Sequence, residues 1–194
     1  MASLANCTKK KVLVLFGLTA SGKSYLGDAF SRKHQIPYYN TDRVRKQLAG
    51  LNPTDARPCA VGKGIYSAEY TTKTYQEMVD RASRDLQQGH CAVLLDGSYS
   101  GVVEREAVAN MARENEATVE FVFCTCPQEV VKQRLDERAA DENAVSDGRW
   151  EIYQYQLQTF APPELGSADH LTTLDTNQSL DQLIKVLETL LVKG

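Results

Sequence analysis

Gly17-Leu18-Thr19-Ala20-Ser21-Gly22-Lys23-Ser24 fits the pattern G-x-x-x-x-G-K-[ST], and each fixed position of that pattern has a chemical reason. The two glycines let the backbone turn tightly and aim successive N–H groups at phosphate oxygens, while the helix that follows presents an anion-favouring N-terminus. In such a loop Lys23 reaches the β- and γ-phosphates of a nucleotide, and Ser24 offers its hydroxyl to a Mg²⁺ ion that bridges them. Gly17, Thr19, Ala20, Ser21, Gly22, Lys23, Ser24 and Tyr25 are therefore the expected nucleotide contacts. Binding a nucleotide does not say what happens to it, so the remaining charged residues decide the chemistry.

Asp42 and Arg45 stand at the start of a helical pattern after a short apolar stretch, three residues apart and so on one helix face. Asp42 could take the proton of a substrate hydroxyl while Arg45 holds an anionic group or the transferring phosphoryl; the plainer alternative is that Asp42 only stabilises a helix N-terminus. Asp96 ends the apolar run Ala92-Val93-Leu94-Leu95, the position from which a carboxylate supports Mg²⁺, although Asp96-Gly97-Ser98 is also a good turn sequence. Arg134 and Arg138 are one helical turn apart and precede an acidic segment, residues 141–148, that resembles a lid. Both arginines could face phosphate when such a segment closes, or pair with surface acids such as Asp136 and Glu137. Tyr66 and Tyr99 flank the same region and are candidates for stacking on a substrate ring. Arg43, Arg45, Lys63 and Arg105 could form a small basic funnel.

These residues need a scaffold, and the hydropathy pattern supplies one. Strand-length apolar runs at residues 12–16, 91–95, 119–124 and, more weakly, 171–174 alternate with helical patterns, with a short further strand at 37–40. The helices are expected at 23–34, at 41–49 capped by Thr41, from Ser67 to Gly89, after Pro127 in the first turn, at about 147–160, and through Leu180, Leu183, Ile184, Leu187, Leu190 and Leu191. This alternation predicts an α/β fold, a parallel sheet covered by helices on both faces.

The chain of 194 residues is 42% hydrophobic and 24% charged, ordinary usage for one globular domain spanning 1–194 with a lid at about 139–148. Its net charge of −3 gives no general footprint for duplex DNA or an anionic membrane. No segment is apolar enough for a leader or a membrane span, and the five cysteines lack zinc spacing. The expectation is a cytoplasmic protein with reduced thiols, in which Cys91 and Cys124 pack in the core. The three histidines are scattered and no metal cluster is expected.

The order of these motifs is familiar. The phosphate loop, Tyr39-Asn40-Thr41-Asp42-Arg43-Val44-Arg45-Lys46-Gln47-Leu48, Gly64-Ile65-Tyr66, Leu94-Leu95-Asp96-Gly97 and Arg134-Leu135-Asp136-Glu137-Arg138 resemble a family of small ATP-dependent kinases. Their AAA-type P-loop kinase domain is often fused to an aminoglycoside-phosphotransferase-like domain. The chain is similar more widely to polynucleotide 5′-hydroxyl kinases, zeta-toxin kinases, gluconate kinases and chloramphenicol phosphotransferases, which share a D-x-x-R element. The resemblance implies the P-loop kinase fold, with a five-stranded parallel sheet in order 2-3-1-4-5 and a helical lid. By the same resemblance, Asp42 would be the base, Arg45 a phosphate contact, Arg134 and Arg138 lid arginines, and the segment around Thr176 the adenine site. The implied activity moves the γ-phosphoryl group of ATP, with Mg²⁺, to a hydroxyl of a small molecule or a nucleic-acid 5′ end. An ATP hydrolase or a nucleotide-gated switch acting on a protein partner is the alternative. Gly97-Ser98 departs from relatives that carry Ala-Thr or Ala-Asn there, and Tyr25 and Gly148 are further departures.

Overall fold

Alternate residues of the first apolar run face opposite ways, as extended backbone requires, yet all are buried: Val12, Val14 and Phe16 join one hydrophobic cluster, Leu13 and Leu15 another. A strand with no polar face must lie inside a sheet covered on both sides. In the computed structural model, which describes residues 9–52, 63–140, 149–160 and 170–192, that strand is the centre of a five-stranded parallel sheet. The elements are β1 (Lys10–Phe16), α1 (Lys23–His34), β2 (Tyr38–Asn40), α2 (Thr41–Leu48), a 3₁₀ turn (Gly64–Tyr66), α3 (Ala68–Gln87) and β3 (Ala92–Gly97). They continue as α4 (Val102–Glu114), β4 (Ala117–Thr125), α5 (Gln128–Ala139), α6 (Trp150–Thr159), β5 (His170–Asp175) and α7 (Leu180–Val192). The strand order β2-β3-β1-β4-β5 is the expected one.

The register of this sheet is what makes a site. Phe16 pairs with Gly97, and Asn40 with Asp96, so β1, β2 and β3 end level with one another. The phosphate-loop sequence after β1, the start of α2 and the Asp96-Gly97-Ser98 turn therefore emerge at one edge, the carboxyl ends of parallel strands where open α/β sheets hold ligands. On one sheet face α3 contributes Tyr75, Met78, Val79, Ala82 and Leu86 and α4 contributes Val108, Met111 and Ala112. On the other, Leu26 and Phe30 of α1 meet Leu183, Ile184, Leu187 and Leu190 of α7. The apolar stripe of α7 is thus core. A third cluster, Ala20, Val131, Leu135 and Tyr153, fastens α5 and α6 to the phosphate-loop sequence.

Several local expectations need correction. Asn40, not Thr41, caps α2, because its side chain accepts from the Arg43 N–H at 3.0 Å. Pro127 caps α5 from outside the first turn. Ser67 caps α3 as expected, with its hydroxyl accepting from the Tyr70 N–H. Cys91 is disulfide-bonded rather than a reduced core thiol. It lies half-buried just ahead of β3, whereas Cys124 is free, inside β4, and raised by burial to about 12, as an inert packing group. The lid expectation at about 139–148 falls, from residue 141 on, outside the described residues. Among the described residues no helix is long and apolar enough to cross a membrane.

Candidate active site

The eight-residue loop turns where the sequence required it. Gly17 has φ +136° and a Cβ there would lie 2.5 Å from the Cys124 carbonyl; Gly22 has φ +87° and a Cβ would meet Thr176 Oγ1 at 2.9 Å. Neither position admits a side chain. Lys23 opens α1 with its ammonium folded back over the loop, donating to the carbonyls of Gly17 (3.0 Å) and Leu18 (2.6 Å) and to Ser21 Oγ (3.2 Å). Burial pushes this ammonium below the ordinary lysine value, while the charges of Asp96, Cys124 and Asp42 pull it up again. Tyr25 projects outward and is 69% exposed. The Thr19 N–H is taken by Gln156 Oε1 of α6 at 2.7 Å.

Asp42 lies in the first turn of α2, with Arg45 Nη1 3.6 Å from its carboxylate. Arg45 is buried, donates to Thr71 Oγ1 at 3.4 Å and has its guanidinium 4.8 Å from the centre of the Tyr66 ring. Tyr66 thus stacks on a protein cation, which orients Arg45. Arg138, half-buried on α5, is pushed down by burial, and the Asp42 and Asp96 carboxylates oppose that shift. Lys23, Asp42, Asp96 and Arg138, from four different elements, therefore share one electrostatic field at the sheet edge.

The two lid-helix arginines part company. Arg134 donates to Thr176 through Nη1 (Oγ1, 3.1 Å) and Nη2 (carbonyl, 3.0 Å), and also lies 3.3 Å from the Ala20 carbonyl. Thr176, buried after β5, lies 2.8 Å from the Ser21 carbonyl and 3.1 Å from that of Thr125, so these contacts tie the last strand to the loop. Arg134 is committed to Thr176, while Arg138 feels the charge of Asp42 and of Arg134 itself.

Other expectations do not survive. Tyr99 is fully buried and packs edge-on against Tyr75 at 4.9 Å, so its ring is not open to a substrate. Arg105 is buried and donates to the Tyr99 and Ser100 carbonyls at 2.7 and 3.0 Å, which commits it to the loop after β3. Arg43 pairs with Asp28 at 2.8 Å and lies over the Tyr38 ring. Neither arginine lines a funnel.

Two residues that the sequence reading treated as scaffold reach the centre. Tyr38 donates to Asp96 Oδ2 at 2.7 Å and Asn40 Nδ2 donates to the same oxygen at 2.6 Å. Asn40 Nδ2 also reaches Ser24 Oγ at 3.2 Å. Their signal in the sequence was position only, the first and last residues of the short β2. Asp96 itself is buried, and its Oδ1 has no hydrogen-bond partner. A hydroxyl and a carboxylate joined through one amide, with one carboxylate oxygen left unpaired, are hard donors of the kind that Mg²⁺ takes while keeping several waters, so Ser24 and Asp96 fit that ion. Among the described residues no group of three or more His, Cys, Asp or Glu could hold a metal by itself.

Gly97 explains one departure noted above. A Cβ at this position would lie 2.7 Å from Thr41 Cγ2 and 3.1 Å from the Tyr75 hydroxyl, because the Thr41 methyl fills the room. Gly97→Ala is expected to push α2 away and to cost about 1–3 kcal/mol of stability. The midpoint of urea unfolding reads this directly, and an unchanged midpoint would show that α2 yields freely.

Comparison with known proteins agrees with this architecture. A family profile described as "AAA domain" matches residues 12–163. Among solved structures, the chain is similar to a sugar kinase from Janibacter sp. HTCC2649, with a TM-score of 0.64 and 19% identity, covering 93% of each chain. It is similar to an APS kinase from Mycobacterium tuberculosis in complex with AMPPNP and APS, with a TM-score of 0.62 and 17% identity, covering 96% of this chain and 99% of that one. A gluconokinase from Sinorhizobium meliloti 1021 gives 0.60 and 18%, covering 94% and 92%. No curated protein matches. At these identities the likeness carries the fold, a P-loop kinase fold, and nothing finer.

Proposed function

We propose, since this chain belongs to the AAA domain family over residues 12–163, that it is a kinase transferring the γ-phosphoryl group of ATP to an alcohol. The observation that carries this reading is the shared field of Lys23, Asp42, Asp96 and Arg138 at the level ends of β1, β2 and β3. A phosphate loop serves any nucleotide-binding protein, but a carboxylate at the start of α2, near enough for its charge to act on the loop lysine, suits a second reactant.

In this reading the loop N–H groups and Lys23 hold the β- and γ-phosphates, and Arg138 offsets the negative charge that spreads over the transferring group. Asp42 orients the acceptor hydroxyl and takes its proton, while Arg45, braced by Tyr66 and Thr71, contacts phosphate or an anionic part of the acceptor. Arg134 and Thr176 sit toward the adenine end, with the carbonyl contacts described above keeping the two ends in register. Ser24 and Asp96 are the residues that would hold Mg²⁺, which when bound would screen the phosphate charge. Tyr25 would supply a backbone N–H. The whole of 1–194 would act as one kinase domain in the cytoplasm.

The net charge of −3, together with Arg43 and Arg105 being engaged elsewhere, favours a small hydroxyl compound or nucleotide over a long polynucleotide. The test is transfer of label from γ-labelled ATP into a panel of 5′-hydroxyl oligonucleotides, nucleosides, sugars, sugar acids and aminoglycosides. Label in one compound class is the expected result and names the acceptor. Label released only as free phosphate would overturn the reading in favour of a hydrolase or a switch.

A further inference from the structure

Asn40 joins three parts of the site through one carboxamide. Its Oδ1 accepts from the Arg43 N–H at 3.0 Å, and because a backbone N–H can only donate, the amide orientation follows and Nδ2 must face the other way. Nδ2 has two hydrogens and two acceptors, Asp96 Oδ2 at 2.6 Å and Ser24 Oγ at 3.2 Å. The side chain is buried with these polar positions used. Asp96 Oδ2 therefore receives two donors, Asn40 and Tyr38, while Oδ1, equally buried, receives none. A carboxylate pinned at one oxygen presents the other in a fixed direction. The Tyr38 ring itself depends on Gly27, where a Cβ would come within 2.8 Å of it.

We infer that Asn40 is a positioning residue which sets Ser24 Oγ and Asp96 Oδ1 for the ion that accompanies the nucleotide and, by capping α2, holds Asp42 in register with them. Tyr38 shares the first of these tasks. The inference rests on the kinase reading for the identity of the ligand, and it adds a single residue that couples the nucleotide side of the site to the acceptor side. Partners of metal-supporting groups tune affinity without touching the metal, and their loss typically lowers it about 10–100-fold.

The test uses the whole chain and ADP binding by calorimetry, with and without Mg²⁺, so it needs no acceptor and no turnover. In the wild type Mg²⁺ should tighten ADP binding. In Asn40→Ala and Asn40→Ser that tightening should fall by about 10-fold or more, while affinity without Mg²⁺ changes by less than about threefold. Serine remains a good helix cap, so Asn40→Ser should keep the thermal midpoint that Asn40→Ala lowers; a merely structural role would make binding follow the midpoint. Tyr38→Phe should lose a smaller part of the Mg²⁺ effect. Variants with the full Mg²⁺ effect overturn the inference and leave the kinase reading standing. A wild type whose ADP binding ignores Mg²⁺ overturns both.

Discussion

Asp42→Asn should lower phosphoryl transfer by about 10²–10⁴-fold, the usual contribution of a positioned general base, while ATP binding stays within about twofold. The change keeps the size of the side chain and removes only its charge. Arg45 stays braced by the Tyr66 ring and Thr71, so the local structure has other support. The competing role for Asp42, stabilising the N-terminus of α2, is worth about 0.3–1 kcal/mol and would appear as a small drop in the unfolding midpoint with transfer intact. Single-turnover transfer from γ-labelled ATP, measured beside a nucleotide titration, separates the two. Full transfer in the variant would remove Asp42 from the chemistry, and with it the main argument for a hydroxyl acceptor.

Lys23→Met should lower transfer by about 10²–10³-fold, because a preorganised donor aimed at developing phosphate charge is lost, and should also weaken nucleotide binding. Its pH behaviour follows from the geometry. Burial lowers the Lys23 pKa below its ordinary 10.5, so the empty protein sheds this proton earlier than a solvated lysine would. Only the ammonium attracts phosphate. Nucleotide affinity in the wild type should therefore fall as pH rises through the lowered value, at a pH below 10.5, and this fall should be absent in Lys23→Met. Stability of the empty protein moves the other way in the same window. Between the lowered value and 10.5 the unfolded chain binds more protons here than the folded one, so this residue's contribution rises with pH. A wild-type affinity flat to pH 10.5 would contradict the buried ammonium.

Local rules carried the reading a long way where one interaction dominates. The G-x-x-x-x-G-K-[ST] spacing could be read directly, since Gly17 and Gly22 occupy backbone conformations and contacts that exclude a side chain. The unbroken apolar run in β1 announced a strand buried on both faces, and the spacing in α7 announced its core stripe. The Cys91 expectation failed because a disulfide depends on a partner brought near by the fold, which counting cysteines does not reveal. Tyr99 failed as a stacking candidate for a related reason. Closeness to the site in sequence does not tell which way a ring turns, and this one turns into the core against Tyr75.

By itself, then, the sequence determined the element order, the parallel sheet and the phosphate-binding loop, because periodicity and steric limits act over a few residues. Tertiary structure alone decided the division of labour. Arg134 and Arg138 are equivalent by spacing, yet one grips Thr176 and the other enters the field of Asp42. Lys11 of β1 and Glu120 of β4, far apart in the chain, are both buried and lie 3.7 Å from each other. Asn40 read as part of a strand end, yet its carboxamide spans Ser24, Asp96 and α2. Each outcome depends on residues far apart in the chain meeting at angstrom distances, and register and packing set those distances, which no spacing in the chain encodes locally.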